Sequence, residues 1–265
     1  MMKIDLYSSR IVASGTWGVL RGELTGWVGR RGLFHLVFWL LMIDGWLYFT
    51  VVTKHMPFGG LGFESLMNML LLFVPVAAIV LTEATVIGEY RSGIASWTVS
   101  KPVPRWGYLG AKLAGLWVGL SATAIFIPGL VGYWWLPKVK PYRFVTAVQP
   151  PLDRFLTALL IVCLVVAFFI TLTALLGILI RIRGVVALLV MYALFNARMP
   201  LRWVWGGWDT YTPAGLVGAN PGEWMAVTEY VYGDPLGATS ALVWTIVASL
   251  VFATGAMLVY QRLEL

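Results

Sequence analysis

LMNMLLLFVPVAAIVLTEATVIGEYRSGIASWTVSKPVPRWGYLGAKLAGLWVGLSATAIFIPGLVG occupies positions 66–132. Two apolar runs, each long enough to cross a bilayer as a helix of about 20 residues, flank a charged segment broken by prolines. A helical hairpin needs only a short polar turn, of roughly 2–8 residues. This connection is longer and carries Glu89, Arg91, Lys101 and Arg105. Tyr90, Ile94 and Trp97 recur at i, i+4 and i+7, so they share one helical face, with Glu89, Arg91, Ser92 and Ser96 largely elsewhere. Pro102 and Pro104 stop that helix from running on. Trp106 and Tyr108 then open the next span at the interface. The segment 88–107 reads as a short amphipathic helix beneath the membrane. Such an element suits transmission of force from a cytoplasmic partner. An ordinary interfacial loop is the competing reading.

Composition agrees with a membrane chain. Of 265 residues, 60% are hydrophobic and 12% charged, against about 25% charged in a soluble domain. Mean hydropathy is +0.83. The net charge of +7 therefore reports topology and contact with anionic lipid. It is not a nucleic-acid footprint, because the basic residues are scattered among loops. The one cysteine, Cys163, lies in an apolar run, so no disulfide forms within the chain. His35 and His55 have no Cys or His neighbours at zinc-ligand spacing, and no metal site is expected. Residues 1–32 lack the apolar core and cleavage site of a secretory signal, and the first apolar run reads as an uncleaved anchor.

Six spans are expected, at about 33–53, 66–87, 108–132, 156–180, 184–198 and 240–260. The fifth is short, and runs of that length are also re-entrant or partly spanning. With the N-terminus inside, the inner segments hold twelve of the 19 Lys and Arg residues and the outer segments seven. That bias places both termini in the cytoplasm. Residues 137–154 are the exception, with four positive charges on the outer side. Within 1–32, Trp17, Leu20, Leu24, Trp27 and Val28 recur at helical spacing, which predicts an amphipathic helix on the inner membrane surface. An irregular basic tail is the alternative, given five glycines over 10–31. Residues 199–238, rich in Trp, Tyr, Gly and Pro, read as an outer cap of short interfacial helices, or as a long ordered loop. The expected fold is thus an all-α polytopic membrane protein, one transmembrane domain over 1–265.

Residues 88–112 resemble the signature region of ABC-2 type permeases, the membrane subunits of one class of ABC transporters. That family carries a glutamate, a glycine a few residues on, then a Ser-x-Pro-(Val/Ile)-x-Arg run leading into a span with a Gly/Ala-Lys pair. Here the matching residues are Glu89, Gly93, Ser100, Pro102, Val103, Arg105 and Ala111-Lys112. The chain departs from the pattern at Ile94, Thr98-Val99 and Pro104. The expected topology is similar along the whole chain. The resemblance implies a permease in a prokaryotic inner membrane, acting as a dimer with a second copy or a paralogue. A separate cytoplasmic ATPase would bind ATP and Mg and dock on a coupling helix. Glu89, Arg91, Gly93, Trp97, Ser100, Pro102, Val103 and Arg105 would form the docking element. The chain itself has no G-x-x-x-x-G-K-[ST] phosphate loop and is not read as an enzyme or as holding a cofactor.

Two carboxylates, Asp44 near the middle of the first expected span and Glu83 near the inner end of the second, are candidate pathway residues, since intramembrane charges are costly. Asp44 lines a polar pathway or pairs with a Thr, an Asn or a backbone group. Glu83 reads more simply as reaching the inner interface. Pro75 and Pro128 are expected to kink their helices. Thr171, Thr173 and Ser121 read as helix–helix contacts, not as a nucleophile site. The functional expectation is ATP-driven export of a hydrophobic or amphipathic substrate along an interface lined by spans one, two and five. The alternative is a non-transporting accessory subunit of a larger membrane complex. An intramembrane enzyme fits poorly, since H-E-x-x-H, G-x-S-x-G and paired carboxylates on one span are all missing from the sequence.

Overall fold

The computed structural model describes residues 6–53, 62–91, 103–138, 149–182, 184–198, 211–217 and 225–262. Among these, every element is helical. In chain order they are α1 (Leu6–Val28), α2 (Arg30–Trp39), α3 (Trp46–Thr53), α4 (Gly62–Arg91), α5 (Arg105–Leu120), α6 (Ile127–Trp135), α7 (Leu152–Ile180), α8 (Val185–Arg198), α9 (Ala214–Val217), α10 (Ala226–Tyr232) and α11 (Thr239–Arg262). Single π-helical turns, Leu40–Gly45 and Ser121–Phe126, join α2 to α3 and α5 to α6. Pro128 explains the second of these. It has no N–H to give, and its ring would crowd the carbonyl four residues back, so the ladder loosens just before it. Pro75 is accommodated within α4, which runs on through it.

Five helical stretches are long and apolar enough to cross a membrane: Arg30–Phe49, Gly62–Val86, Arg105–Trp135, Leu152–Ile180 and Thr239–Arg262. A sixth apolar helix, Val185–Asn196, is shorter. It lies where the short fifth span is expected. The 14 residues of α8 rise only about 21 Å, against a hydrocarbon core of about 30 Å.

Side-chain contacts fix the register of the bundle. A Cβ on Gly62 would lie 2.9 Å from Leu136, and one on Gly132 2.8 Å from Leu66. These approaches make α4 antiparallel to α5–α6. Phe155 meets Phe63 and Tyr133 with ring centroids 5.9 and 4.8 Å apart, so α7 starts where α4 starts. At its other end α7 stops on Arg181, which adopts a left-handed conformation (φ 58°). A non-glycine residue there is strained by roughly 1–2 kcal/mol. The Arg181 side chain offsets this by donating back to the Ile178 carbonyl at 3.3 Å. α11 runs parallel to α7, with Phe252 on Phe168 and Gly255 on Leu175. Phe63, Leu66, Met67, Leu70 and Leu71 of α4 and Phe155, Leu159, Val162 and Val166 of α7 are fully buried and form the centre.

The bundle therefore has two ends. One gathers Arg91, Arg105, Ile180 and Arg262 and is called the basic end. The other gathers Phe63, Tyr133, Trp135 and Phe155, with α9 and α10 packed over it, and is called the aromatic end. Burial, and then the Glu64 carboxylate, push the phenol of Tyr232 on α10 up to about 12 from 10.0, so it packs there as the neutral form.

α1 is helical, as its pattern predicts, but its placement differs from a helix lying flat on the membrane. Thr16 meets Gly107, Glu23 meets Gly115 and Trp27 meets Gly119. The two sets of numbers rise together, so α1 runs parallel alongside α5. Gly107, Ala111, Gly115 and Gly119 form a small-residue stripe four residues apart, which lets the two backbones approach. The continuous rod from Arg105 to Trp135 has 31 residues, about 46 Å, and so exceeds the hydrocarbon core of about 30 Å by roughly half. α1 flanks the part of that rod nearest the basic end. The tightest point is Gly119, where a Cβ would sit 2.1 Å from Cδ2 of the Trp27 ring. Gly119→Ala is expected to lower stability by about 1–3 kcal/mol in thermal unfolding of the detergent-solubilised protein. Gly18→Ala, whose Cβ would meet nothing within 4 Å, is expected to leave it unchanged or raised.

Candidate functional site

The segment singled out in the sequence joins the basic ends of α4 and α5. Residues through Arg91 continue α4 as one helix, so Glu89 and Arg91 ride on its last turn and do not begin a separate element. Gly93, Trp97, Ser100 and Pro102 lie outside the described residues. Val103 is half-buried against the core. Pro104 is extended (φ −65°, ψ 139°) and precedes the first residue of α5, Arg105. Its carbonyl accepts the Tyr108 amide at 3.0 Å, which starts the α5 ladder. Trp106 is exposed and Tyr108 buried, so the interfacial pair expected here divides between surroundings and core.

What holds α5 in place is an ion pair that the sequence reading did not single out. Lys112 Nζ lies 2.6 Å from Glu23 Oε1, with both side chains more than four-fifths buried. The Lys112 ammonium also sits 5.6 Å from the centre of the Tyr108 ring. Each residue is a charge set among small and apolar neighbours on its own helix. Such a charge demands an opposite partner, and that was the available signal. The pairing itself required knowing that α1 lies against α5.

Asp44 sits in the first π-helical turn and is 8% exposed. Its Oδ1 accepts the Trp135 indole N–H at 3.0 Å. Its Oδ2 has no hydrogen-bond partner among the described residues. Gly132 stands close by, 3.2 Å from the same Oδ1 to an added Cβ. Central in the sequence of its span, Asp44 is by packing level with the last turn of α6. The partner is a tryptophan, not the Thr, Asn or backbone group expected. The offset arises because α1 flanks the lower part of the α5–α6 rod, so α2 and α3 accompany only its upper part.

Glu83 accepts the backbone N–H of Gly184 in the turn between α7 and α8. Gly184 has φ +80°, a conformation glycine adopts without strain. This places Glu83 at the basic end, where it ties α4 to that turn. The structure therefore does not bring Asp44 and Glu83 together. They lie toward opposite ends of the bundle, each making a tie between helices.

The buried hydroxyls, by contrast, bond within their own helices. Thr82, Thr123, Thr173, Thr245 and Ser249 each donate to a carbonyl four residues back on their own helix at 2.6–2.8 Å. Thr171 does so at 3.0 Å. The Trp117 indole donates to the Cys163 carbonyl at 2.9 Å, linking α5 to α7. Arg154 reaches from the first turn of α7 to the carbonyls of Tyr230 and Asp234 at 3.3 and 3.2 Å and covers the Tyr230 ring. Arg154 thereby anchors α10.

No protein-family model matches the chain, and neither a curated protein nor a solved structure does.

Replacing Asp44 by Ala would leave the half-buried Trp135 N–H without its acceptor, at a cost of about 1–3 kcal/mol. Asp44→Asn keeps an acceptor oxygen in place. Thermal unfolding should therefore show Asp44→Ala clearly destabilised and Asp44→Asn close to the parent protein. Equal stability of all three would show the Asp44–Trp135 bond to be of no consequence.

Proposed function

We propose that the chain is the membrane permease subunit of an ATP-driven ABC transporter, of the ABC-2 type, working with a separate cytoplasmic ATPase. One observation carries this reading. The motif-bearing segment 88–112 joins two long apolar helices at the basic end of the bundle. There its C-terminal support, α5, is clasped along its length by α1. A partner pressing on residues 88–105 would act on a braced two-helix unit, so its motion would pass into the bundle as a rigid-body shift.

In this reading the basic end faces the cytoplasm, following the excess of Lys and Arg there. α8 is the fifth and shortest crossing, and α9 and α10 belong to an outer cap over 199–238. Two copies, or a copy and a paralogue, form the transporter, and a hydrophobic or amphipathic substrate moves between them. Glu89, Arg91 and Arg105 supply the charged contacts to the ATPase, which binds ATP and Mg. Asp44 acts in this scheme by positioning α2–α3 against α6.

Co-expression with a candidate ATPase, extraction in mild detergent and affinity purification test the proposal. The two proteins are expected to co-purify, and Glu89→Ala combined with Arg91→Ala should abolish that while leaving the permease monodisperse. Failure of the parent protein to retain the ATPase would contradict the proposal and favour a non-transporting accessory subunit.

A further inference from the structure

Two arginines stand halfway along the bundle. The Arg31 guanidinium lies 5.0 Å from the centre of the Trp27 ring, and that ring packs on Gly119 of α5. An added Cβ on Gly32 would run into the Trp27 carbonyl, so the start of α2 lies at the same height. Gly119 is near the middle of the α5–α6 rod, about 21 Å along it from Arg105 and about 24 Å from Trp135. Arg30 and Arg31 are both exposed, and neither has an acidic partner among the described residues.

The aromatic end fixes how deep that height is. Glu64 follows Gly62, which meets Leu136, and the exposed Asp153 precedes Phe155, which meets Tyr133. These charges mark the limit of the apolar layer at that end. A hydrocarbon core of about 30 Å, measured from Tyr133, ends about level with Leu113. Arg31, beside Gly119, falls roughly 10 Å inside it. The flank formed by α11 differs. Met257 of α11 packs against Gly110, so Leu250, two turns earlier on a helix antiparallel to α5, is close to the height of Gly119. Val247, Leu250 and Val251 are exposed there, and apolar exposure continues to Leu258, short of the one charge on this helix, Arg262. At one height the bundle thus shows cations on one flank and aliphatic side chains on another.

A guanidinium in hydrocarbon without a counter-charge is costly. Stacking on Trp27 holds the Arg31 head where it is, so it does not stretch back to the basic end. A bilayer, by contrast, thins locally at modest cost to match a short apolar surface. Below Val28 the outward face of α1 carries Arg21, Gly22 and Thr25, which extends the polar flank toward the basic end. No exposed acid lies on this flank among the described residues. A second copy meeting it by the same face would set arginine against arginine, whereas lipid phosphates complement it. We infer that the membrane surface at the basic end is drawn inward along α1 and the start of α2, so that lipid phosphates and water reach the middle of the bundle on this flank alone. An amphipathic molecule in that trough already stands part of the way across the bilayer. This consequence for a substrate rests on the transporter reading, and the trough itself does not.

Spin labels report the local solvent. Cys163→Ala protein carrying either Val28→Cys or Leu250→Cys, two exposed positions at similar height, is labelled and placed in nanodiscs of dioleoyl phosphatidylcholine and dioleoyl phosphatidylglycerol. Power saturation then compares collisions with a water-soluble nickel chelate and with oxygen. The ratio of chelate to oxygen collisions is expected to be several-fold higher at position 28 than at position 250. Arg30→Leu with Arg31→Leu should bring the ratio at 28 down to that at 250, while the ratio at 250 holds steady and reports intact packing. Equal ratios at the two positions before the arginines are changed would overturn the inference, because the membrane surface would then be level. Shielding of position 28 from both reagents would overturn it in favour of a protein covering this flank. A high ratio at 28 that survives loss of both arginines would overturn their part in drawing the surface in. None of these readouts involves an ATPase, so the trough stands or falls apart from the transporter proposal.

Discussion

A lysine and a glutamate, each stranded among small and apolar neighbours on its own helix, can be buried together at little cost but not apart. Lys112 and Glu23 meet at 2.6 Å, and much of the architecture follows. For the pair to form, α1 has to lie parallel to α5, and the glycines at 107, 115 and 119 make room for it. With α1 occupying that flank, the first apolar crossing cannot start until Arg30. It then accompanies only the later part of the α5–α6 rod. That offset is what carries Asp44 up to Trp135 and seats its π-helical turn beside Gly132.

The charges inside the bundle share one style of use. Glu23 ties α1 to α5, Glu83 ties α4 to the α7–α8 turn, Asp44 ties the first crossing to α6, and Arg154 ties α7 to α10. Among apolar helices in lipid there is little hydrophobic preference for one packing over another. A few polar ties at chosen heights therefore do much to set register. The functional proposal accordingly rests on the segment between α4 and α5 and on the brace behind it, and draws no support from the buried carboxylates.

Hydropathy made the long crossings legible in the sequence, because length and apolarity are what a bilayer demands of a helix. The helical nature of α1 was legible from Trp17, Leu20, Leu24 and Trp27. Its direction was not, since a helix with several glycines reads the same whether it lies on a membrane or against another helix. The parallel register depends on two segments about 90 residues apart in sequence (Thr16 with Gly107, Trp27 with Gly119), and no local pattern encodes it. Asp44 drew attention as a charge in an apolar run, but its partner could not be read because no local pattern says which helix faces it. The helix α5 begins at Arg105, directly after Pro104, about three residues earlier than the span expected from about 108. Of the amphipathic segment expected over 88–107, residues 88–91 prove to be the end of α4 and 105–107 the start of α5, while 92–102 lie outside the described residues.

Charge reversal at the brace tests the central claim most directly. Glu23→Lys and Lys112→Glu, made singly, set like charges face to face, and thermal unfolding in detergent should fall by several degrees in each. The double variant restores an opposite pair in the same place, and its melting temperature should return most of the way to that of the parent protein. A double variant as unstable as the sum of the two single changes would mean that the residues do not meet. The parallel placement of α1 on α5, and the braced coupling segment built upon it, would then be wrong.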